Sequence, residues 1–111
     1  MTADEVCEVV ITAPDWAWLA DLTRQLVTDR LAACGHNIAG VQSTCRWRGE
    51  MQDRVEAQVA IHTRRSHLPA IIEVANRDHP YELACVVATP IVGGSPGYLQ
   101  WVLDETGPAH D

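Results

Sequence analysis

The densest run of functional groups in the 111-residue chain is His79-Pro80-Tyr81-Glu82, with Asp78 just before it. A histidine followed by proline at a helix end is held in few orientations. Its imidazole can ligate a metal or exchange protons near neutral pH. Tyr81 and Glu82 add a hydroxyl and a carboxylate within reach. The other use of such a histidine is as a helix stop whose ring hydrogen-bonds to backbone, and spacing alone favours that use. A second pair of soft donors is Cys34-Gly35-His36. Sulfur and imidazole two residues apart suit copper or zinc. Two donors do not complete a metal site, and Gly35 between them suits a helix stop equally well. His62 falls on the polar face of a strand and His67 in a helix first turn; each alone reads as a solvated side chain.

Other chemistry finds less support. Arg46, Arg48 and Arg54 crowd one segment with Glu50 and Asp53. They read as a solvated ion-pair surface, each exposed pair worth under about 1 kcal/mol, with an anion site as the alternative. Ser43, Ser66 and Ser95 have no base beside them, so nucleophilic catalysis has no candidate. Gly93-Gly94 fits neither GxGxxG nor GxxxxGK[ST], so a phosphate cradle is unsupported. Cys7, Cys34, Cys45 and Cys85 form no CxxC pair, which argues against a structural zinc site. They read as free thiols of a reducing cytoplasm, mostly buried as small apolar groups.

Composition narrows the partners. Eight arginines, with no lysine, face fifteen acidic residues, for a net charge of −7. Acid exceeds base in both halves, so nucleic acid is a poor partner. An acidic surface attracts cations instead. No apolar run approaches the ~18–20 residues that span a bilayer. The start, MTADEVCEVV, is acidic where a secretory signal is basic. The length suits one domain, residues 1–111, with a core over about 6–105 and a tail at 106–111. A core this small gains from oligomerisation.

The elements that must position these groups follow from periodicity. Val6–Thr12 is a short β-branched run, hence a strand. Thr12 or Ala13 caps a helix that opens at Pro14 and carries Leu19, Leu22, Leu26 and Leu31 at helical spacing, with Gly35 as its stop. Val41–Arg48 and Val55–His62 alternate with period two across a turn at Gly49, which predicts a long β-hairpin. Ser66 caps a second helix that runs to Arg77, and Pro80 ends it. Leu83–Thr89 is a strand. Ser95-Pro96 opens a short C-terminal helix. Trp16 and Trp101 sit on apolar helix stripes and Trp47 on a strand's inward face, while Trp18 faces another way, toward a neighbouring subunit. The order βαββαβ is the ferredoxin-like α+β arrangement: an antiparallel sheet with two helices on one face, plus the terminal helix.

The fragments TAPD at 12–15, DRLAAC at 29–34, NIAGVQS at 37–43, RWRGE at 46–50, HPYE at 79–82 and GGSPGYLQWV at 93–102 occur in this order. In this combination the chain resembles the divalent-cation tolerance (CutA) family. The resemblance implies a cytosolic homotrimer whose long hairpins pack against neighbouring subunits. It also implies tolerance to divalent cations, copper especially, through binding them and without an enzymatic reaction. Copper ligation in bacterial members is assigned to a first-strand cysteine and two adjacent histidines. Here the first-strand position is Ile11, and the histidine pair reads Asp78-His79. The resemblance thus implies His79 and, as a harder oxygen donor, Asp78 as ligands; the neighbouring Glu82 carboxylate completes the candidate set, with Tyr81 nearby. Loss of the soft sulfur weakens a preference for Cu(I). The PII signalling trimers have a similar fold and bind nucleotides between subunits. A small-ligand or partner-binding trimer is thus the alternative reading, which Arg46 and Arg48 keep open.

Overall fold

The structure is a computed structural model that describes residues 5–107. Four strands form one antiparallel sheet in the order β2-β3-β1-β4, where β1 is Val6–Ala13, β2 Cys34–Trp47, β3 Glu50–Arg64 and β4 Val86–Pro90. Helices α1 (Trp16–Thr28) and α2 (Leu68–Arg77) cross over between strands, and α3 (Pro96–Glu105) follows β4. This is the expected βαββαβ order.

The period of two sorts the sheet residues. Cys7, Val9, Ile11, Val59 and Ile61 are buried against Leu19, Leu22, Leu26, Ile71 and Ala75 of α1 and α2. Val6 belongs to the opposite face, where it meets Val102 of α3, with Tyr98, Leu99 and Ile91 alongside. The terminal helix therefore covers one end of the face that α1 and α2 leave open. It is held by its own C-terminal carbonyls. Arg30 donates from Nε to Gly107 O at 3.1 Å and from Nη2 to Asp104 O at 2.9 Å. His67 and Arg64 reach Thr106. Thr106 is thus buried and bonded, where the sequence suggested the start of a loose tail. The rest of that tail, 108–111, lies outside the described residues.

Several boundaries differ from the periodic reading, each for a local reason. Asp15, not Thr12 or Ala13, caps α1, its carboxylate accepting from Ala17 N–H at 2.9 Å. The helix stops at Thr28, well before Gly35. Leu31 N–H bonds Leu26 O at 2.9 Å and Arg30 N–H bonds Val27 O at 3.1 Å, with Arg30 at φ 61°. This is a Schellman stop whose left-handed position is an arginine, so no glycine marks it. A single 3-10 turn, Arg65–His67, precedes α2, and Ser66 makes no side-chain cap. The β1–β4 ladder ends at Ile11 opposite Val86, so the strand expected from Leu83 begins three residues later.

The hairpin is longer than its periodicity suggested, because β2 starts at Cys34. Trp47 faces Glu50 across the two-residue turn Arg48-Gly49, whose φ values are 50° and 82°. Two positive φ angles match the right-handed twist of the arms, and glycine takes one at no steric cost. A register shift between Ile38 and Val41 bulges the β2 arm. Beyond it, among the described residues, Val41–Trp47 and Glu50–Glu56 have only each other as strand partners, because β1 pairs with β3 only from Ala57 onward. The hairpin projects, and the chain extends 48 Å along its longest axis. Val55 is accordingly 72% exposed, although it continues the inward face of Ala57, Val59 and Ile61.

Gly35 lies inside β2 facing α1, where a Cβ would come within 2.5 Å of Thr23 Cγ2 and 3.1 Å of Val59 Cγ2. Thr23 cannot easily turn away, since its hydroxyl donates to Leu19 O at 2.8 Å. Gly35→Ala is expected to lower stability by about 1–3 kcal/mol through overpacking, read as a reduced urea midpoint. A midpoint equal to wild type would show that α1 does not approach β2 this closely.

Candidate functional site

Two places gather chemistry-bearing side chains. The first is the HPYE segment after α2. His79 Nε2–H donates to Thr12 O at 2.8 Å, and Nδ1 accepts Tyr81 N–H at 3.0 Å. Both ring nitrogens are engaged, and the pair fixes the tautomer. Trp18 meets the same ring edge-on at 4.9 Å between centroids. Trp18 therefore packs within the subunit, whereas Trp16 is 53% and Trp101 41% exposed, off the core their spacing implied. The Thr12 carbonyl would otherwise be an open ladder position at the end of β1, so His79 closes the sheet edge.

Beside it a cleft of about 380 Å³ opens between the hairpin and the 80–85 segment, with Cys45 and Cys85 both on its wall. These two thiols are exposed and Cys34 is half-buried, so only Cys7 is the buried apolar cysteine expected of most of them. Tyr81 lies under the Arg54 guanidinium at 4.6 Å. Burial, then a hydrogen bond to the Glu56 carboxylate, pushes its phenol up. Glu82 pairs with Arg48, both well exposed. Asp78 is exposed at the end of α2. Asp78, His79 and Glu82 do not bring three donor atoms together in this conformation. Ile11, at the strand position where the resemblance implies a thiol, is fully buried in the core.

The second place arises from register. Cys34 on β2 is the partner of His62 on β3, and His62 is the partner of Glu8 on β1. His36, two residues from Cys34, shares its face. The row lies on the side of the sheet away from α1 and α2, under Tyr98 of α3. Cys34 Sγ is 3.8 Å from His36 Nε2 and 3.9 Å from His62 Nδ1. Glu8 lies 3.2 Å from His62 Nε2, so that nitrogen carries the proton and donates to the carboxylate. His62 Nδ1 then accepts from the Tyr98 hydroxyl, which also lies 3.1 Å from Cys34 Sγ. Among the described residues this is the group of three soft or carboxylate donors whose atoms lie within 4.8 Å of one another. The sequence offered Cys34 and His36 as a pair and His62 as a solvated side chain; period-two placement on the polar face was the signal, but its register was not visible.

Burial, the hydrogen bond to Cys34 and the nearby charges of Cys34 and Glu8 push the Tyr98 phenol up to about 12. The folded chain therefore holds this proton more tightly than the unfolded chain, whose phenol titrates near 10. The stabilisation is complete below pH 10 and is lost as pH rises toward 12. Denaturation midpoints should fall over that window, and Tyr98→Phe should flatten the fall. An unchanged alkaline slope in the variant would remove Tyr98 as its source.

Known proteins share this architecture. A model of the CutA1 divalent ion tolerance protein family matches residues 7–105. The chain is 36% identical to the chloroplastic protein CutA of Arabidopsis thaliana over 98 residues, 88% of this chain and 54% of that protein. It is 34% identical to the divalent-cation tolerance protein CutA of Escherichia coli over 94 residues, 85% of this chain and 84% of that protein. It thus spans little more than half of its plant relative. The crystal structure of CutA from Xylella fastidiosa superposes with a TM-score of 0.88 at 35% identity, covering 93% of this chain and 99% of that one. The divalent cation tolerance protein of Thermus thermophilus gives 0.88 at 33% identity, over 92% and 99%. With the family model matched over residues 7–105 and relatives above 30% identical over most of the chain, the chain belongs to the CutA1 divalent ion tolerance family.

Proposed function

We propose that the chain acts as a cytosolic homotrimer in tolerance to divalent cations, binding copper or a related cation rather than catalysing a reaction. The family match over residues 7–105 carries this reading. The net charge of −7 favours cations at the surface. The four unpaired thiols suit a reducing compartment. For the trimer, the support is the projecting hairpin: Ile38, Met51 and Val55 are 54%, 71% and 72% exposed on it. An unpaired sheet edge with apolar side chains is a surface that another chain covers.

Asp78 and His79, at the family's histidine-pair positions, and the neighbouring Glu82 are the ligand candidates, and the geometry sets a condition on them. His79 offers a nitrogen only by releasing Thr12 O or Tyr81 N–H, and Glu82 only by releasing Arg48. Calorimetric titration of Cu²⁺ into wild type and His79→Ala tests this set; equal affinities would remove His79 from it. Light scattering should return three times the chain mass, and a monomer would sink the assembly. In a thermal-shift screen, divalent cations and not nucleotides should raise the melting temperature.

A further inference from the structure

We infer that Cys34, His36 and His62 form a three-ligand site for a soft or borderline cation, Zn²⁺ or Cu⁺, on the sheet face beneath α3. The inference rests on the cation-binding reading but assigns the ion to residues on the opposite side of the sheet from the α1–α2 core, away from His79. A tetrahedral ion with metal–sulfur distances of about 2.3 Å and metal–nitrogen distances of about 2.0–2.1 Å holds sulfur and nitrogen about 3.5–3.6 Å apart. The two sulfur–nitrogen separations here, 3.8 and 3.9 Å, exceed that edge by only a few tenths of an ångström. Rotamer adjustment of an exposed His36 covers such a difference. One thiolate and two imidazoles are the donor set that zinc and copper prefer over magnesium or calcium.

The surroundings fit as well as the ligands. Glu8 accepts the Nε2–H of His62 at 3.2 Å, which leaves Nδ1 unprotonated and facing Cys34. A carboxylate behind a ligating histidine fixes its tautomer and raises its basicity. The Tyr98 hydroxyl, 3.1 Å from Cys34 Sγ, can turn from His62 Nδ1 to donate to the thiolate once an ion takes that nitrogen. The pairing of Cys34 with His62 and of His62 with Glu8 is set by three strands, so the scaffold holds these groups without a ligand. Three protein ligands leave the fourth tetrahedral position to a further ligand. Three protein ligands with one open position describe a site that exchanges its ion, unlike a closed four-ligand structural site.

Zn²⁺ and Co²⁺ titrations of the full chain under a reducing phosphine test the assignment. Wild type should bind one ion per chain, and the Co²⁺ form should show a thiolate-to-metal charge-transfer band. Cys34→Ser should abolish that band. His36→Ala, an exposed change that spares the core, should weaken Zn²⁺ binding by roughly 100-fold or more, at or beyond the loss seen when an outer-shell partner is removed. Cys45→Ser, which removes an exposed thiol on the hairpin, should leave the band and the affinity unchanged. If wild type binds but Cys34→Ser and His36→Ala bind equally well, the site is overturned while cation binding stands. If wild type binds neither ion, the site is overturned, and the cation-binding reading is decided separately by the Cu²⁺ titration.

Discussion

Ile11→Ala is expected to destabilise the fold by about 2–5 kcal/mol, the usual cost of emptying an enclosed aliphatic site. Ile11 is fully buried on β1, in the cluster that holds Val9, Val59, Leu19 and Ile71. It pairs with Val59 on one side and Val86 on the other, so both neighbouring strands fix its backbone. Strands on two sides and helices above leave little room for collapse, which places the cost in the upper part of the range. For a domain near 100 residues, each kcal/mol lowers the melting temperature by roughly 4–8 °C. Ile11→Val, which removes one methylene, should cost only about 0.5–1.5 kcal/mol. Urea denaturation at a fixed protein concentration separates the two. A loss in the alanine variant no larger than in the valine variant would mean the position is not enclosed. The same burial explains why a thiol here is not simply exchangeable with isoleucine: in this chain position 11 serves packing.

His79→Ala should cost about 2–4 kcal/mol, since two backbone groups lose their partner at about 1–3 kcal/mol each where water cannot fully replace it. The groups are Thr12 O and Tyr81 N–H. Loss of the edge contact with Trp18 adds up to about 1 kcal/mol of aromatic pairing. His79→Phe keeps ring volume without the hydrogen bonds, so the difference between the two variants isolates packing. Hydrogen exchange gives the sharper reading: the Tyr81 amide should exchange faster in both variants, while amides in the middle of β1 keep their protection. Unchanged exchange at Tyr81 would rule out the Nδ1 contact. Any cation that captures His79 must overcome this same attachment, so capture there would loosen the junction of β1 with the 80–85 segment.

Much of the architecture is written in local spacing. The β-branched run at Val6–Thr12, the leucines of α1, the two alternating arms around Gly49 and Pro80 after the second helix each reflect contacts within a few residues. Their order identifies the ferredoxin-like sheet, and the ordered fragments from TAPD to YLQWV identify the family. Local spacing also supplied His79 as a backbone-bonded helix stop, the use the structure displays. Where spacing misled, a non-local contact had decided the matter. The left-handed stop of α1 falls on Arg30, whose guanidinium is held by the Asp104 and Gly107 carbonyls at and beyond the end of α3, and α3 begins more than sixty residues later. Trp18 packs against the core, with His79, distant in sequence, on its ring, while Trp16 is exposed.

The sequence by itself determined the strand and helix order, the long hairpin, the acidic character and Cys34-x-His36 as a pair of soft donors. Only the tertiary structure decided that His62 and Glu8 join that pair and that His79 spends both nitrogens on backbone. The physical reason is register. A one-residue slip of β3 against β2 would send His62 to the core face, and no periodicity within either strand specifies which residues stand opposite. That choice is made by the burial of Val59 and Ile61 under α1 and by the tight seat of Gly35 against Thr23.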